Sequence, residues 1–67
     1  MKEYIQVTKD VTDMDGNFAA AGEKGELLVY HGKTDRYIIR IPPNDINSNR
    51  GISLFRYDFK FINEEEL

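Results

Sequence analysis

The chain has 67 residues, contains no cysteine and carries a formal net charge of −3. This length allows one domain, the lack of cysteine excludes disulfides and thiolate metal ligands, and the acidic balance disfavours strong non-specific binding to nucleic acid. No apolar run approaches the roughly 20 residues of a membrane span or follows Lys2 as in a signal peptide, so we expect a cytoplasmic protein without a membrane segment.

The first predicted strand covers residues 3–11, because Ile5 and Val7 alternate with polar residues and share one face. A cluster of turn residues that includes Asp-Gly follows it. Three alanines come next, but four residues between two turns are too few for a stable helix. We expect residues 12–24 to form one long irregular loop, with Phe18 tucked onto the core.

Four more strands follow, each bounded by turn signals. They are predicted at residues 26–31, 36–41, 52–56 and 59–62. Pro42 and Pro43 end the third strand, because proline cannot donate to the ladder, and a polar loop extends from there to Gly51. The last four residues, 64–67, are predicted to form a solvated acidic tail.

Five short strands separated by turns predict an all-β meander. A flat sheet of this size would leave one apolar face in water, whereas a sheet that curls into a barrel buries that face and removes most edges. We therefore predict one domain over residues 1–63, folded as a single five-stranded barrel, and an acidic tail over residues 64–67. So short a chain has a small core, to which a partner or self-association would add stability.

Several segments resemble the SH3-like small barrel, and in particular its KOW-like bacterial and phage versions. The residues that carry the resemblance are Gly25-Glu26-Leu27 where the second strand opens, Tyr37-Ile38-Ile39-Arg40-Ile41 as the third strand, and Phe55-Arg56-Tyr57-Asp58-Phe59 as a short helical turn before the last strand. The resemblance implies a long loop between strands one and two, and it suggests a bacterial or phage accessory protein. The chain departs from the pattern in its long loop before Gly51 and in lacking the basic surplus of ribosomal KOW proteins.

Motifs that would carry catalytic or metal chemistry are incomplete. Gly22-Glu23-Lys24-Gly25 lacks the Gly-Lys-Ser/Thr ending and the following helix of a phosphate loop, so its glycines are interpreted as turn residues. The loops at residues 13–17 and 45–49 fail the ligand spacing of a calcium loop and are interpreted as turns held by Asp and Asn side chains. No signature surrounds the serines that could partner His31. We expect no enzyme activity, no cofactor and no metal.

Basic and aromatic residues around the third and fourth strands form one candidate binding surface. Like charges opposite each other on neighbouring strands cost stability, so an anion or an acidic side chain should lie among them. Two interpretations stay open: aspartates neutralise the arginines as surface pairs, or the residues bind nucleic acid through phosphate contacts and base stacking. The candidates are Arg36, Arg40, Arg56 and Lys60 for phosphates, and Tyr37 and Tyr57 for stacking.

The second and third strands are apolar on both faces, although a one-layer barrel has only one inside. If Leu27 and Val29 point inward, Leu28 and Tyr30 point outward, and Ile38 on the next strand points outward with them. A β-bulge would reverse part of this alternation. The sequence therefore predicts more apolar surface than one core can bury.

This excess gives the candidate protein-contact residues, which are Leu28, Tyr30, Tyr37 and Ile38. Either the loop over residues 12–24 covers them, or they mark a contact with another protein. We expect a small non-enzymatic protein-interaction module that binds a partner protein or itself. The alternative is a KOW-like module that binds RNA or single-stranded DNA, which the net charge disfavours.

Overall fold

A computed structural model of the chain describes residues 2–41 and 50–67. The fold of these residues is all-β, as predicted, and its short helical elements are single 3₁₀ turns. The strands are β1 (Glu3–Val7), β2 (Val11–Thr12), β3 (Phe18–Ala19), β4 (Lys24–His31), β5 (Arg36–Ile41), β6 (Arg50–Leu54) and β7 (Phe59–Ile62), and the 3₁₀ turns cover Arg56–Asp58 and Glu64–Glu66. Within the same residues, no helix has the length and apolar character needed to cross a bilayer.

The strands form two sheets, so the prediction of a single closed five-stranded barrel is wrong. Five strands form an antiparallel sheet in the order β6-β5-β4-β1-β7, and β2 and β3 form a separate two-stranded sheet. The large sheet ends at β6 and β7, and side chains rather than strands bond to these edges. The Asp13 carboxylate accepts the backbone N–H of Ser53 in β6, and the Arg56 guanidinium donates to the backbone carbonyl of Phe59 in β7.

The first strand is shorter than predicted, and the predicted long loop contains a hairpin. β1 ends at Val7, where the backbone N–H of Val7 bonds to the carbonyl of Glu23 and that of Thr8 bonds to the carbonyl of Asp58. The chain then turns away and returns as β2 and β3, which pair with each other. The segment over residues 12–24 is therefore not one irregular loop.

Alanine, not phenylalanine, anchors this hairpin to the core. Ala19 is fully buried and Phe18 is half exposed, which corrects the prediction that Phe18 packs inward. The register explains the exchange, because Val11 pairs with Ala19 while Thr12 pairs with Phe18. Neighbouring residues of a strand point to opposite faces, so only one of the two can face the core.

The core lies on one face of the large sheet, under the β2–β3 hairpin. Its members are Ile5, Val7, Ala19, Ile39, Ile41, Ile52, Leu54 and Phe59, with Val11, Leu27 and Tyr37 packed against them. Gly25 also lies on this face, opposite Ile5. A Cβ built on Gly25 would lie 2.7 Å from the carbonyl oxygen of Arg40 and 2.8 Å from a methyl group of Ile39.

Gly22 and Gly25, both predicted as turn residues, therefore have different structural roles. Gly22 has φ of +96°, the left-handed region that glycine enters at little cost. Gly25 lies inside β4 rather than in a turn, and its lack of a side chain lets β5 pack closely over it.

A β-bulge interrupts the pairing of β4 with β5. Leu27 pairs with Ile39 and Val29 pairs with Ile38, which leaves Leu28 as the extra residue of β4. Beyond the bulge the alternation is reversed, since an inserted residue shifts the following side chains to the other face. Val29 was predicted to point inward but is 46% exposed.

The C-terminal part follows the prediction more closely. A 3₁₀ turn precedes the last strand as expected, although β6 ends at Leu54 rather than at residue 56. The acidic tail is exposed but ordered as a second 3₁₀ turn, because Lys24 donates to the carbonyl of Glu66 and the Glu66 carboxylate accepts the N–H of Asn63. The predicted proline stop and the polar loop over residues 42–49 lie outside the described residues.

Candidate functional surfaces

One candidate site is an apolar patch on the outer face of the large sheet, which we call the bulge patch and define as Leu28, Val29 and Ile38. Leu28 and Val29 are 53% and 46% exposed, and Val29 and Ile38 are cross-strand neighbours. Ile38 lies between Tyr37 and Ile39, which pack in or against the core, so it points to the opposite face. The bulge places all three in one short stretch of the β4–β5 pair.

The β2–β3 hairpin does not cover the bulge patch. Its inward residues, Val11 and Ala19, pack with Ile39 on the core face. The patch lies on the other side of the sheet, and the hairpin's own large apolar side chains, Met14 and Phe18, are exposed. Of the two interpretations that the sequence left open, covering by residues 12–24 is therefore wrong.

Tyr30 and Tyr37, the other two predicted contact residues, belong to a different face. They are paired across the strands, with ring centroids 4.6 Å apart, and Tyr37 meets Phe59 edge to face at 5.2 Å. The Tyr30 hydroxyl donates a 2.7 Å hydrogen bond to Asp35, which raises the pKa of Tyr30. The outward orientation predicted for Tyr30 is wrong, because the bulge reverses the alternation before it.

A second candidate site, which we call the aromatic strip, is a pair of stacked aromatic rings with a cation at each end and a methionine beyond one of them, and its residues are Lys9, Met14, Arg36, Phe55 and Tyr57. The Arg36 guanidinium lies over the Phe55 ring at 4.8 Å, and the Phe55 and Tyr57 rings stack at 5.5 Å with an interplanar angle of 11°. The Lys9 ammonium lies over Tyr57 at 4.6 Å. At the other end, Arg36 contacts the sulfur of Met14.

The buried Asp58 stabilises the arrangement of the aromatic strip. It is buried, and its carboxylate accepts the backbone N–H of Phe55 at 3.0 Å and pairs with Lys9 at 3.4 Å. Its backbone N–H donates to the carbonyl of Phe55, and its carbonyl accepts from Thr8. A buried carboxylate is retained where such partners compensate its lost hydration, so Asp58 fixes both the 3₁₀ turn and the cation above Tyr57.

The basic residues proposed for phosphate binding are divided between surfaces. Arg40 pairs with Glu26 across the strands at 2.9 Å, as the surface-pair interpretation expects. Arg56 lies over the Phe59 and Phe61 rings at 5.1 and 4.8 Å, and these rings share the core face of β7. Lys60 alternates with them on the opposite face. Arg36 and Tyr57 meet in one cluster through Phe55, and Arg56 and Tyr37 meet in another through Phe59.

Metal-ligating side chains do not cluster in the described part of the chain. No group of three or more His, Cys, Asp or Glu side chains that could hold a metal occurs there. His31 is exposed at the end of β4, opposite Arg36. An open cavity of about 360 Å³ lies between the start of β1 and the end of β7, walled partly by Tyr4, Phe61 and Ile62, and none of the predicted site residues lines it.

Comparisons with known proteins leave the chain without a family. No protein-family model matches it, and neither the curated proteins nor the solved structures give a match. The SH3-like resemblance therefore depends on the short sequence segments that carry it and on the order of elements.

Several residues of these surfaces were not singled out from the sequence. Val29 was missed because a bulge leaves no sequence signal in an unbroken apolar run. Lys9, Met14 and Phe55 were missed because the strip joins three segments that are distant in the chain. The one local signal was Phe55-Arg56-Tyr57, where two aromatic residues lie two positions apart within a predicted helical turn.

Proposed function

We propose that the chain is a small non-enzymatic protein-interaction module that binds a partner protein through the bulge patch. The observation that supports this most directly is that Leu28, Val29 and Ile38 lie on the face opposite the core, where the β2–β3 hairpin does not reach them. Apolar side chains that cluster at an exposed site mark contacts with other molecules. A register shift inside a strand gives this cluster a fixed shape.

The size of the patch indicates the kind of contact. Three partly exposed side chains offer far less than the roughly 800 Å² that each partner contributes to a standard interface. We therefore propose a transient contact with an apolar element of another protein, in which Leu28 and Val29 are the anchors. The neighbouring Glu26–Arg40 ion pair would form part of its polar rim.

The finer identity is also a proposal. The strand order β6-β5-β4-β1-β7 and the 3₁₀ turn before β7 support an SH3-like module of the KOW-like kind, even though the sheet is open. We propose a cytoplasmic accessory protein of bacterial or phage origin, which fits a small chain without cysteine.

The experiment that tests this function is capture of partners from the native host. Wild-type bait is compared with the double variant Leu28→Ser, Val29→Ser, and with Phe18→Ser, which removes a half-exposed apolar side chain from the hairpin instead. We expect a partner, identified by mass spectrometry, that wild type and Phe18→Ser retain and the double variant loses. Equal recovery by all three baits, with the double variant shown to be folded, would contradict the proposal.

Binding of RNA or single-stranded DNA is the second candidate function. Its support is Arg36, which has no carboxylate partner among the described residues and is linked to Tyr57 through Phe55. The two candidates respond differently to salt. Affinity for nucleic acid falls steeply with added salt because counterions are released, whereas apolar docking persists.

A further inference from the structure

We propose that the aromatic strip is a second binding surface, which takes acidic peptide segments whose Asp or Glu side chains lie next to apolar ones. The inference extends the proposed function by naming a chemical class of partner. It rests on the proposed function only in that both are protein-binding roles, because the aromatic strip and the bulge patch share no residue.

Arg36 supplies the first reason. Its side chain is half-buried, and the polar contact that it makes within the described residues is to the sulfur of Met14, a weak acceptor. By contrast, Arg40 and Lys9 each pair with a carboxylate. A guanidinium carries five N–H donors, and a contact with a ring and one with a sulfur leave donors that a carboxylate can accept. Arg36 therefore offers a site for an acidic side chain that no carboxylate of the described residues occupies.

The apolar part of the strip supplies the second reason. Met14 is 81% exposed and Tyr57 is 69% exposed, which is unusual for side chains that bury well. Methionine adapts its shape to the side chain it meets, and tyrosine gives a large contact area at low entropic cost. Beyond Tyr57 lies the Lys9 ammonium, which pairs with Asp58 but whose side chain is more than half exposed. The strip thus fits an apolar residue that has acidic neighbours.

The strip is also held ready before any ligand arrives. The buried Asp58 fixes the turn that carries Tyr57 through its bonds to Phe55 and Lys9, and the stacking of Phe55 on Tyr57 fixes the ring planes. Binding to an ordered surface loses less conformational entropy than binding to a mobile one. A contact of modest area can therefore be specific.

The same geometry favours a peptide over a nucleic acid. The Phe55 ring is contacted by Arg36 and by the stacked Tyr57 ring, and the Tyr57 ring is contacted by Phe55 and Lys9. A base stacks on an open aromatic face, so a nucleotide would compete with the cations for these rings. An acidic side chain instead binds to the outer edges of those cations and leaves the stack intact.

A random-peptide library displayed on phage, panned against the immobilised full-length chain, tests this inference. Panning is repeated with Arg36→Glu, with Tyr57→Ser, and with Lys33→Glu, which makes the same charge change in the exposed turn between β4 and β5. Each variant is first checked for a native-like amide spectrum. A selected peptide is then titrated into labelled protein by NMR, beside a version with its acidic residues changed to lysine and beside a single-stranded oligonucleotide.

We expect selected peptides enriched in Asp or Glu beside apolar residues, and amide shifts centred on Arg36, Phe55 and Tyr57. Arg36→Glu should weaken binding by about tenfold or more, since a charge-assisted pair is replaced by repulsion, and Tyr57→Ser should also weaken it. Lys33→Glu should bind like wild type, and so should Leu28→Ser, Val29→Ser, so that loss of one site is distinguishable from loss of the other. Enrichment of basic peptides, no enrichment, equal binding by Arg36→Glu, or tighter binding of the oligonucleotide at the same residues would overturn the inference.

Discussion

The carboxylate of Asp13 accepts a 3.1 Å hydrogen bond from the backbone N–H of Ser53, although the two residues are 40 positions apart. Ser53 lies in β6, the edge strand at one end of the large sheet. Unpaired N–H groups of an edge strand are templates for pairing with another chain. One side chain of the β2–β3 hairpin therefore both attaches the hairpin to the sheet and occupies part of its open edge.

Removal of this carboxylate is predicted to destabilise the fold. Asp13 also accepts the backbone N–H groups of Asp15 and Asn17 and the side-chain amide of Asn17. We expect Asp13→Ala to lower the free energy of unfolding by about 1–3 kcal/mol, because several donors lose their acceptor at once. Urea denaturation measures the change.

Asp15→Ala is the matched control for this prediction. The Asp15 side chain accepts no hydrogen bond within the described residues, and only its backbone N–H contacts Asp13. We expect a change of at most about 0.5 kcal/mol. Equal destabilisation by the two variants would show that the charge of the hairpin, and not the bond to Ser53, is what matters.

The pH dependence of stability gives a second prediction. Partial burial raises the pKa of Asp13, but the hydrogen bonds from Ser53, Asn17 and Asp15 outweigh it and hold the pKa below the ordinary value of 3.8. A pKa that is lowered on folding stabilises the folded state above the unfolded-state pKa of about 3.9. This stabilisation is lost as the pH falls through the lower pKa of the folded state.

Asp13→Asn removes the titrating group and retains one acceptor oxygen. We therefore expect wild type to be more stable than Asp13→Asn at neutral pH, and the difference to shrink as the pH falls below about 4. The measurement is the urea midpoint of both proteins from pH 7 down to the acid range. A difference that stays constant with pH would show that ionisation of Asp13 does not stabilise the fold.

The close approach of β5 to Gly25 gives a third prediction. A methyl group at residue 25 would meet the Arg40 carbonyl and an Ile39 methyl group at sub-contact distances. We expect Gly25→Ala to destabilise the fold by about 1–3 kcal/mol through overpacking. Gly51→Ala is the control, because a Cβ there has no neighbour within 4 Å among the described residues, and its thermal midpoint should stay close to that of wild type.

The turn between β4 and β5 gives a fourth prediction, which concerns ionisation rather than stability. The hydrogen bond from Tyr30 to Asp35, together with the charge of that carboxylate, raises the pKa of Tyr30 above 10.0. We expect Asp35→Asn to lower this pKa toward 10.0 because the negative charge is gone. Asparagine tolerates the φ of 56° at this residue, so the turn should persist. An NMR titration of the Tyr30 ring in both proteins measures the shift, and an unchanged pKa would show that the bond is absent in solution.

Local patterns predicted more of the strands than of their packing. Alternation predicted β1, turn signals around apolar segments predicted β4, β5, β6 and β7, and the SH3-like resemblance implied the turn before β7. The bulge at Leu28 could not be predicted, because a run of four apolar residues fits either face equally well. The barrel prediction failed because closure depends on whether two edges meet, and here charged side chains from Asp13 and Arg56 bond to those edges instead.

For the candidate sites too, local patterns predicted some residues but not how they are brought together. Leu28 and Ile38 were predicted as outward apolar residues, and they lie in the bulge patch. The register shift places Val29, and not Tyr30, beside them on that face. The aromatic strip is a tertiary feature, formed where the hairpin, β5 and the 3₁₀ turn meet. Side-chain periodicity within one strand does not predict which distant segments of the chain come into contact.

Photo-crosslinking in the native host tests directly whether the bulge patch contacts another protein. A photoreactive residue replaces Leu28 in one protein and Lys33, in the exposed turn nearby, in another. We expect a discrete crosslinked partner from residue 28 that residue 33 does not give. No crosslink from residue 28, or the same products from both positions, would contradict the claim that the bulge patch is a protein-binding surface.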